Sequence, residues 1–195
     1  MEQIIEKFKL VIPNIEYKEK ALDYIKELYS YNSSINGVGG LSRYLENYED
    51  WLEKLEKDRI APVTEERVPA ETYFLVREND NKIIGMINIR LELNEKMRNT
   101  YGHIGYSIRP TERRKGYNKI NLYLGLLECK KHKIDKVMIT CNKTNLGSLK
   151  TILHFDPEFE REYYDYDLYQ GYHQVYWIDV AKSIENKKSE FDKFI

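Results

Sequence analysis

The chain has 195 residues and a mass of 23.4 kDa; 42% of its residues are hydrophobic and 32% are charged, which is typical of a globular protein rather than a disordered chain. Its 31 basic and 32 acidic residues give a net charge of -1, which argues against a surface built to hold nucleic acid or an acidic membrane. Two cysteines, Cys129 and Cys141, are too few for a disulfide framework or a metal site, so we expect a reducing, cytoplasmic compartment.

The first part of the chain predicts one strand and two helices. Phe8–Ile12 has the pattern of a short strand, which Pro13 ends. Apolar residues at helical spacing predict amphipathic helices over Glu16–Tyr31 and Leu45–Lys57, joined by a glycine-rich loop. Charged residues interrupt the start of the chain, and no run of about 18 apolar residues occurs, so we expect neither a signal peptide nor a membrane-spanning helix.

Strand-like runs begin at Thr72 and continue almost to the end of the chain. The predicted strands are residues 72–78, 82–93, 103–109, 136–141, 159–166 and 172–180. The predicted helices are residues 118–132 and 145–154, and residues 181–195 form either a charged helix or a frayed tail. This order predicts an α/β (α+β) fold: a mixed, mostly antiparallel central sheet of about seven strands, with helices on both faces.

The most informative segment, HIGYSIRPTERRKGYNKI (residues 103–120), passes from a strand through a basic loop into a helix. The first turn of a helix has backbone N–H groups without partners and carries a positive partial charge. Gly116 lets a ligand approach the backbone closely, and four side chains add positive charge: those of Arg113, Arg114, Lys115 and Lys119. These features suit a phosphate or a pyrophosphate, and a solvated basic loop is the alternative.

This loop resembles the cofactor loop of the GNAT acetyltransferase superfamily. In that pattern, Gln or Arg is followed after two residues by Gly, and after one more residue by Gly or Ala; residues 113–118, RRKGYN, match it except at the last position. Asn145 and Ser148 occupy the positions of the superfamily's Asn-x-x-Ala/Ser motif. The order of elements from Thr72 to Val180 is also similar to that of the superfamily.

The resemblance implies one acetyltransferase domain over residues 1–195. Its parts are an N-terminal strand and two helices (1–71), a cofactor-binding core (72–155), a C-terminal hairpin (156–180) and a charged tail (181–195). Such a domain binds acetyl-CoA (coenzyme A) and transfers the acetyl group to an amine. No metal is implied.

The resemblance also implies which residues hold acetyl-CoA. In such proteins the pyrophosphate lies on the loop N–H groups, here Arg114 to Lys119, and the pantetheine arm lies like an extra strand beside the strand that ends near Ile108. A backbone N–H there can polarise the thioester carbonyl and stabilise the oxyanion of the tetrahedral intermediate. The implied cofactor-binding residues are Ile108, Arg109, Arg113, Arg114, Lys115, Gly116, Tyr117, Asn118, Lys119, Asn145 and Ser148.

The sequence departs from the superfamily pattern at three places. Asn118 replaces the final Gly or Ala of the loop, so it places a side chain where small residues leave room for phosphate. The alternative is that Asn118, which tolerates unusual backbone angles, itself donates a hydrogen bond and phosphate binding is kept. Ile152 stands where many relatives have the tyrosine that protonates the departing thiolate. His154–Pro157 replaces the usual glycine-containing turn, so we expect the chain to enter the next strand differently.

The catalytic candidates are His103 and Tyr106. An alkylamine with a pKa near 10.4 is protonated at pH 7, and making it neutral costs about 4.6 kcal/mol. His103 has a suitable pKa to take that proton, but strand alternation points it away from the face of Ile108 unless a bulge turns it back. A structural or surface histidine is the alternative. Tyr106 shares the face of Ile108 and is either an acid for the thiolate or a core residue.

The last predicted hairpin interleaves aromatic and acidic residues: Tyr163, Tyr164, Asp165, Tyr166, Asp167, Tyr169 and Tyr172. Aromatic faces together with carboxylates suit a cationic ligand. In GNAT proteins this hairpin often borders the acceptor site. An edge hairpin in a tyrosine-rich protein is the alternative interpretation.

Two functional hypotheses follow. The first is an N-acetyltransferase that moves an acetyl group to a primary amine of a small molecule or peptide, by direct attack in a ternary complex. The second is a CoA-binding sensor without transfer activity, because Asn118 and Ile152 depart from the pattern and no base is evident. We expect no nucleic-acid or membrane partner, and exposed strands make a homodimer plausible.

Overall fold

The computed structural model describes residues 5–166 and 170–195, which form seven strands and six α-helices. The strands are β1 (Phe8–Val11), β2 (Ala70–Arg77), β3 (Lys82–Arg90), β4 (Ile104–Ile108), β5 (Lys136–Asn142), β6 (Glu158–Asp165) and β7 (Gly171–Asp179). The helices are α1 (Lys18–Ser30), α2 (Tyr48–Arg59), α3 (Glu95–Thr100), α4 (Tyr117–Lys131), α5 (Leu146–Leu153) and α6 (Val180–Phe191). Each predicted strand and helix is present, although its ends are shifted by up to three residues.

The strands form two antiparallel sheets, one with the order β1-β2-β3-β4 and one with the order β5-β7-β6. The sheets meet where β4 begins, through an isolated bridge between Gly102 and Ile139 and a hydrogen bond of 2.8 Å from the His103 N–H to the Met138 carbonyl. Along the rest of their length no ladder joins β4 to β5, so the two strands enclose a wedge. The expected α/β fold with about seven strands is confirmed, and the division between its sheets opens the candidate site.

Helices cover both faces of this framework, as expected. On one face, α1 and α2 pack against the first sheet through an apolar cluster that includes Leu28, Trp51 and Phe74. On the other face, α4 packs against β3, α5 and α6 through a second cluster that includes Ile87 and Leu126. Because α4 is apolar on nearly all sides, it lies in the interior, and its N-terminus is held beside the end of β4.

The structure adds one helix and decides between two alternatives for the tail. The short helix α3 was not predicted, because it is polar and its start is marked only by Asn94, whose side-chain oxygen accepts a hydrogen bond of 2.8 Å from the Met97 N–H. The tail forms α6, which Asp179 caps and whose residues Ile184 and Phe191 are buried against the core. No helix in the described part of the chain is both long and apolar enough to cross a membrane.

The turn after α5 has a left-handed residue that is not a glycine. Whether the chain enters β6 differently from other members of the superfamily stays a prediction. Asp156 has a left-handed backbone with a φ of 52°, in the turn that usually contains a glycine. Aspartate tolerates this conformation better than most residues. The chain therefore reaches β6 without a glycine.

Candidate active site

The wedge between β4 and β5 opens into a groove of about 660 Å³. The loop before α4, the first turn of α4 and the first two turns of α5 form its walls. Ten of the sequence-predicted residues line it: Tyr106, Ile108, Arg113, Arg114, Gly116, Tyr117, Asn118, Lys119, Asn145 and Ser148. His103, Arg109 and Lys115 do not. The groove therefore unites most of the residues that the loop and the Asn-x-x-Ser motif predict.

One end of the groove is suited to an anion. Arg114 and Gly116 both have left-handed backbones, with φ of 68° and 85°, and Gly116 directly precedes the first turn of α4. Such alternation points successive N–H groups into a concavity, and the first N–H groups of a helix have no partners within the helix. In α4 the Lys119 N–H is an exception, because it donates to the Gly116 carbonyl over 3.0 Å. A Cβ atom added at Gly116 would meet no protein atom within 4 Å, so the space in front of this backbone is open. A phosphate group fits this arrangement.

The edge of β4 faces the groove. The Arg109 N–H donates to the Ile84 carbonyl over 2.8 Å, and the Arg90 N–H donates to the His103 carbonyl over 2.7 Å. Because hydrogen-bonding directions alternate along an antiparallel strand, the N–H groups of Tyr106 and Ile108 point away from β3 and into the wedge. An extended ligand arm can pair with this edge as an additional strand.

The hydroxyl group of Tyr106 lies at the base of the groove. Its oxygen is 2.8 Å from the Ser148 Oγ. Burial raises the pKa of Tyr106 far above its usual value, although hydrogen bonds from Ser148 and Asn118 oppose the rise. Burial likewise raises the pKa of the neighbouring Cys141 thiol to about 11. Both groups are therefore protonated at neutral pH, and Tyr106 can donate a proton.

The Asn-x-x-Ser motif begins α5. The Asn145 Oδ1 accepts a hydrogen bond of 3.1 Å from the Ser148 N–H, which makes Asn145 the N-cap of this helix. The cap uses only the side-chain oxygen, so the amide nitrogen of Asn145 is left to donate to a ligand. The spacing of the motif is therefore explained by the helix cap, and both of its residues also line the groove.

Asn118 lines the groove and directs its side chain toward α5. Its Nδ2 donates to the Thr151 Oγ1 over 3.2 Å, so the side chain turns inward between α4 and α5. Its Oδ1 is buried and has no hydrogen-bond partner among the described residues. Ile152, in place of the expected tyrosine, is fully buried in the core.

Arg109 was predicted to bind the cofactor, and the structure corrects this for its side chain. The guanidinium group is buried on the opposite face of β4, where Nε donates to the Ile83 carbonyl over 2.9 Å and Nη1 donates to Glu27 over 2.6 Å. It also lies over the ring of Tyr24. Since side chains alternate along a strand, Arg109 faces away from Ile108 and fixes the end of β4 to α1.

The loop itself is held by Glu112, a charged residue that the sequence analysis did not single out. Its carboxylate accepts from Lys115 over 2.7 Å, from Lys82 over 2.9 Å and from Arg77 over 3.4 Å. Burial alone would raise the pKa of Glu112, but these three cations outweigh burial and lower it to about 2. Lys115 therefore serves as an anchor of the loop rather than as a lining residue, which no local sequence pattern indicates.

His103 lies outside the groove, at the vertex of the wedge. Its Nδ1 accepts a hydrogen bond of 2.9 Å from the Met138 N–H, and its ring contacts the edge of Trp177. Burial, with the nearby charges of Arg90 and Arg98, lowers the pKa of His103 to about 4. The β3–β4 register runs without a shift from Ile104 to Ile108, so no bulge turns the ring toward the groove. The geometry favours a structural role, and a catalytic role stays a prediction.

The aromatic residues of the C-terminal hairpin are divided between two faces. Tyr164 and Tyr172 form a cross-strand pair on the outer face, where Tyr164 also contacts the exposed Tyr166. Tyr163 pairs with His173 on the other face. Asp165 is buried, whereas Asp167 and Tyr169 lie outside the described residues. The tyrosines that the structure describes therefore do not converge on one pocket.

The segment between α1 and α2 also reaches the groove. Ser33, Ser34 and Asn36 line it, and the Asn36 carbonyl accepts a hydrogen bond of 2.7 Å from the Ser107 hydroxyl of β4. Lys150 of α5 adds a positive charge to the lining. Within residues 5–166 and 170–195, no three His, Cys, Asp or Glu side chains are grouped so as to hold a metal ion.

Comparisons with known proteins agree with this arrangement. The family model described as "Acetyltransferase (GNAT) family" matches residues 40–155, the segment that holds both motifs. No curated protein matches the chain.

Three solved structures have a similar fold. The chain is 15% identical to the ribosomal-protein-S5-alanine acetyltransferase of Vibrio fischeri, with a TM-score of 0.66 over 89% of this chain and 93% of that one. It is 12% identical to Mycobacterium smegmatis RimJ in complex with CoA-disulfide, with a TM-score of 0.70 over 95% and 92% of the two chains. It is 11% identical to the spermidine/spermine N-acetyltransferase SpeG of Vibrio cholerae, with a TM-score of 0.64 over 92% and 96%.

Proposed function

Because this chain belongs to the GNAT acetyltransferase family, we propose that it transfers the acetyl group of acetyl-CoA to a primary amine of a small molecule or peptide. One observation carries the proposal: a single groove combines an unpaired strand edge with a helix N-terminus that faces open space. Acetyl-CoA presents an extended amide arm and a pyrophosphate, which need these two features together. In this proposal both substrates bind at once, and the amine attacks directly.

Different residues of the groove bind different parts of acetyl-CoA. The N–H groups from Arg114 to Asn118 hold the pyrophosphate, and the side chains of Arg113, Arg114 and Lys150 add favourable charge. The Lys119 N–H is already bound to the Gly116 carbonyl. The pantetheine arm pairs with the free edge of β4 near Ile108. The amide nitrogen of Asn145 contacts the arm from the side of β5.

The chemical step uses the same groups. The amine nitrogen attacks the thioester carbon, and the Ile108 N–H stabilises the negative charge that develops on the carbonyl oxygen. The carbon–sulfur bond then breaks, its electron pair goes to sulfur, and the Tyr106 hydroxyl gives the sulfur a proton. The attacking amine loses one proton, so the products are an amide and the free thiol of coenzyme A. Holding both reactants in one groove supplies much of the rate enhancement.

The attacking amine must also lose a proton. His103, the sequence candidate for the base, has a pKa of about 4 and does not line the groove, so it would hold that proton weakly. We propose that the proton leaves through water on the side of Ser33 and Ser34, where polar side chains reach the groove from outside. This route requires the amine to be neutral before attack, and activity should therefore rise with pH.

The acceptor is proposed only as a class. The named acceptors among the similar structures are a ribosomal protein and the polyamines spermidine and spermine, all of which carry amines. Peptides with free N-termini and polyamines are therefore the first acceptors to test. A homodimer and a cytoplasmic location stay predictions.

The test has two stages, both with the full chain. Calorimetry with coenzyme A and acetyl-CoA measures binding, and a thiol assay then measures the release of free coenzyme A in the presence of each amine. Arg114→Ala should weaken binding by a few fold, since one charge at an exposed anion site contributes about 1 kcal/mol. Lys130→Ala, an exposed lysine near the other end of α4, is the matched control and should not change binding.

The outcomes distinguish the two hypotheses. Binding together with amine-dependent release of coenzyme A supports the transferase. Binding without release for any amine would instead support the CoA sensor, which the buried Ile152 and the lack of an evident base favour. No affinity for either nucleotide would reject the cofactor site itself.

A further inference from the structure

The base of the groove contains a small polar cluster with side chains from three elements. Tyr106 comes from β4, Asn118 from the first turn of α4, and Ser148 and Thr151 from α5. The Tyr106 and Ser148 oxygens are 2.8 Å apart, and the Asn118 Nδ2 lies 3.2 Å from the Thr151 Oγ1. Beside them, Ile152 is fully buried and offers no polar atom. The tyrosine hydroxyl is therefore the acidic group of this cluster.

Asn118 faces this cluster rather than the anion site. Its Oδ1 is removed from solvent, so it does not reach the open space in front of Gly116. Thr151 holds the other end of the amide, and the Thr151 hydroxyl itself donates to the Gly147 carbonyl over 2.9 Å. The amide nitrogen carries two hydrogens. One is directed to Thr151. The amide also lies close enough to the Tyr106 hydroxyl to lower its pKa, and both side chains line the same groove.

The chemistry of the leaving group explains why this contact matters. A thiolate has an ordinary pKa near 8.5, whereas a buried tyrosine gives up its proton much less readily. Proton transfer from Tyr106 to sulfur is easier when hydrogen-bond donors stabilise the tyrosinate that remains. The Ser148 hydroxyl and the Asn118 amide are such donors, and both lower the pKa of Tyr106 against the effect of burial.

We propose that Asn118 is a positioning residue that acts through Tyr106: it orients the tyrosine hydroxyl and stabilises the tyrosinate formed when the sulfur takes its proton. The tyrosinate then regains a proton from water, which restores the enzyme. This inference rests on the proposed function. It also explains two departures from the superfamily pattern, Asn118 and Ile152, together. The proposed acid, Tyr106, comes from β4 rather than from α5, and it needs a partner on α4.

A double-mutant cycle tests the proposal. Asn118→Ala, which installs the residue common in the superfamily, should lower kcat by about tenfold, within the range of general acid effects, and leave the KM for acetyl-CoA within about twofold. Tyr106→Phe should lower kcat at least as much. The double variant should be no slower than Tyr106→Phe alone, because residues that act as a unit are not additive. Lys130→Ala, at an exposed residue of α4 that does not line the groove, is the control and should retain wild-type kcat.

Other outcomes would overturn the inference. A raised KM or weaker calorimetric affinity for acetyl-CoA in Asn118→Ala, with kcat unchanged, would show that Asn118 binds the cofactor instead. Full multiplication of the two losses in the double variant would show that Asn118 acts independently of Tyr106. Thermal melting of each variant identifies effects that come only from unfolding. Failure of the proposed function is separate, because it would appear in the wild-type chain as no coenzyme A binding or no transfer.

Discussion

The two walls of the groove are held by different forces. The wall formed by the loop from Arg109 to Lys119 is fixed by charge: Glu112 binds three cations, and Arg109 binds the carboxylate of Glu27. The wall formed by α5 is fixed by neutral hydrogen bonds, among them those of Asn145 and Thr151. The difference matches the two ends of acetyl-CoA, because a pyrophosphate needs a positive site and a departing sulfur needs neutral donors that carry protons.

The two walls should respond differently to acid and to substitutions. Ion pairs that hold the loop depend on the charge of buried carboxylates, so they weaken in acid. The neutral cluster of Tyr106, Ser148 and Asn118 is insensitive to pH near neutrality, because burial raises the pKa of the tyrosine. Substitutions on the loop wall should therefore have the largest effects on the free energy of unfolding and on cofactor affinity. Substitutions on the α5 wall should mainly affect catalysis, or should change the free energy of unfolding only slightly.

The largest effect is expected for Glu112→Ala on the loop wall. It leaves the charges of Arg77, Lys82 and Lys115 close together without the carboxylate that they share. Removing one partner of a buried ion pair costs about 3 kcal/mol or more of the free energy of unfolding. Denaturant unfolding at pH 7 measures this loss. Glu112→Gln keeps the shape and removes the charge; if it were as stable as wild type, charge would not hold the loop.

The second prediction concerns His103, at the vertex where the walls join. Its folded pKa, about 4, is below the unfolded value of about 6.5, so protonation favours unfolding. Its contribution is complete above pH 6.5 and is lost as the pH falls toward 4. The loss is on the order of 3 kcal/mol in the free energy of unfolding.

His103→Gln is the variant for this measurement, because it keeps an acceptor for the Met138 N–H and does not titrate near neutrality. The advantage of wild type over the variant should shrink between pH 7 and pH 4 in parallel unfolding curves. If kcat of the variant fell instead, with its acid limb removed, His103 would be catalytic as the sequence suggested.

A third prediction tests the anion site on the loop wall. Gly116→Ala introduces a Cβ into the open space and strains a backbone with φ of 85°, so we expect acetyl-CoA to bind at least about tenfold more weakly by calorimetry. Gly40→Ala is a matched control, because Gly40 has a φ of 82° and does not line the groove. Equal binding losses in both variants would mean that backbone strain, not the phosphate site, is responsible.

The smallest effect is expected on the α5 wall. Asn145→Ala removes the N-cap of α5 and should lower the free energy of unfolding by about 1 kcal/mol. Asn145→Asp keeps a capping oxygen and should regain that stability. It also replaces the amide nitrogen by an oxygen, so it should not regain any affinity for acetyl-CoA that the alanine variant loses; recovery of both would remove Asn145 from the cofactor site.

Much of the site was predictable because it depends on local backbone geometry. A glycine before a helix and an asparagine three residues before a serine each fix a turn or a cap, and Gly116 and Asn145 do so here. Alternation along a short strand placed Tyr106 and Ile108 on one face, and the structure has them there. Residue types at fixed spacing are sufficient for such features.

The remaining parts depended on contacts between distant segments. Arg109 appeared to belong to the basic loop, yet its side chain is buried against α1, and Lys115 is bound by Glu112. The direction of the Asn118 side chain was not predictable for the same reason, since the loop pattern does not show that Thr151 lies beside it.

The sequence by itself determined the order of the strands and of the longer helices, the glycine turn before α4 and the cap of α5, because each follows from hydrophobic periodicity or from residues adjacent in the chain. Only the tertiary structure decided that the sheet divides between β4 and β5, which basic side chains serve as anchors, and which polar groups surround Tyr106. These features arise from packing and electrostatic contacts between residues tens of positions apart, and no local pattern encodes which of the many candidate partners will meet.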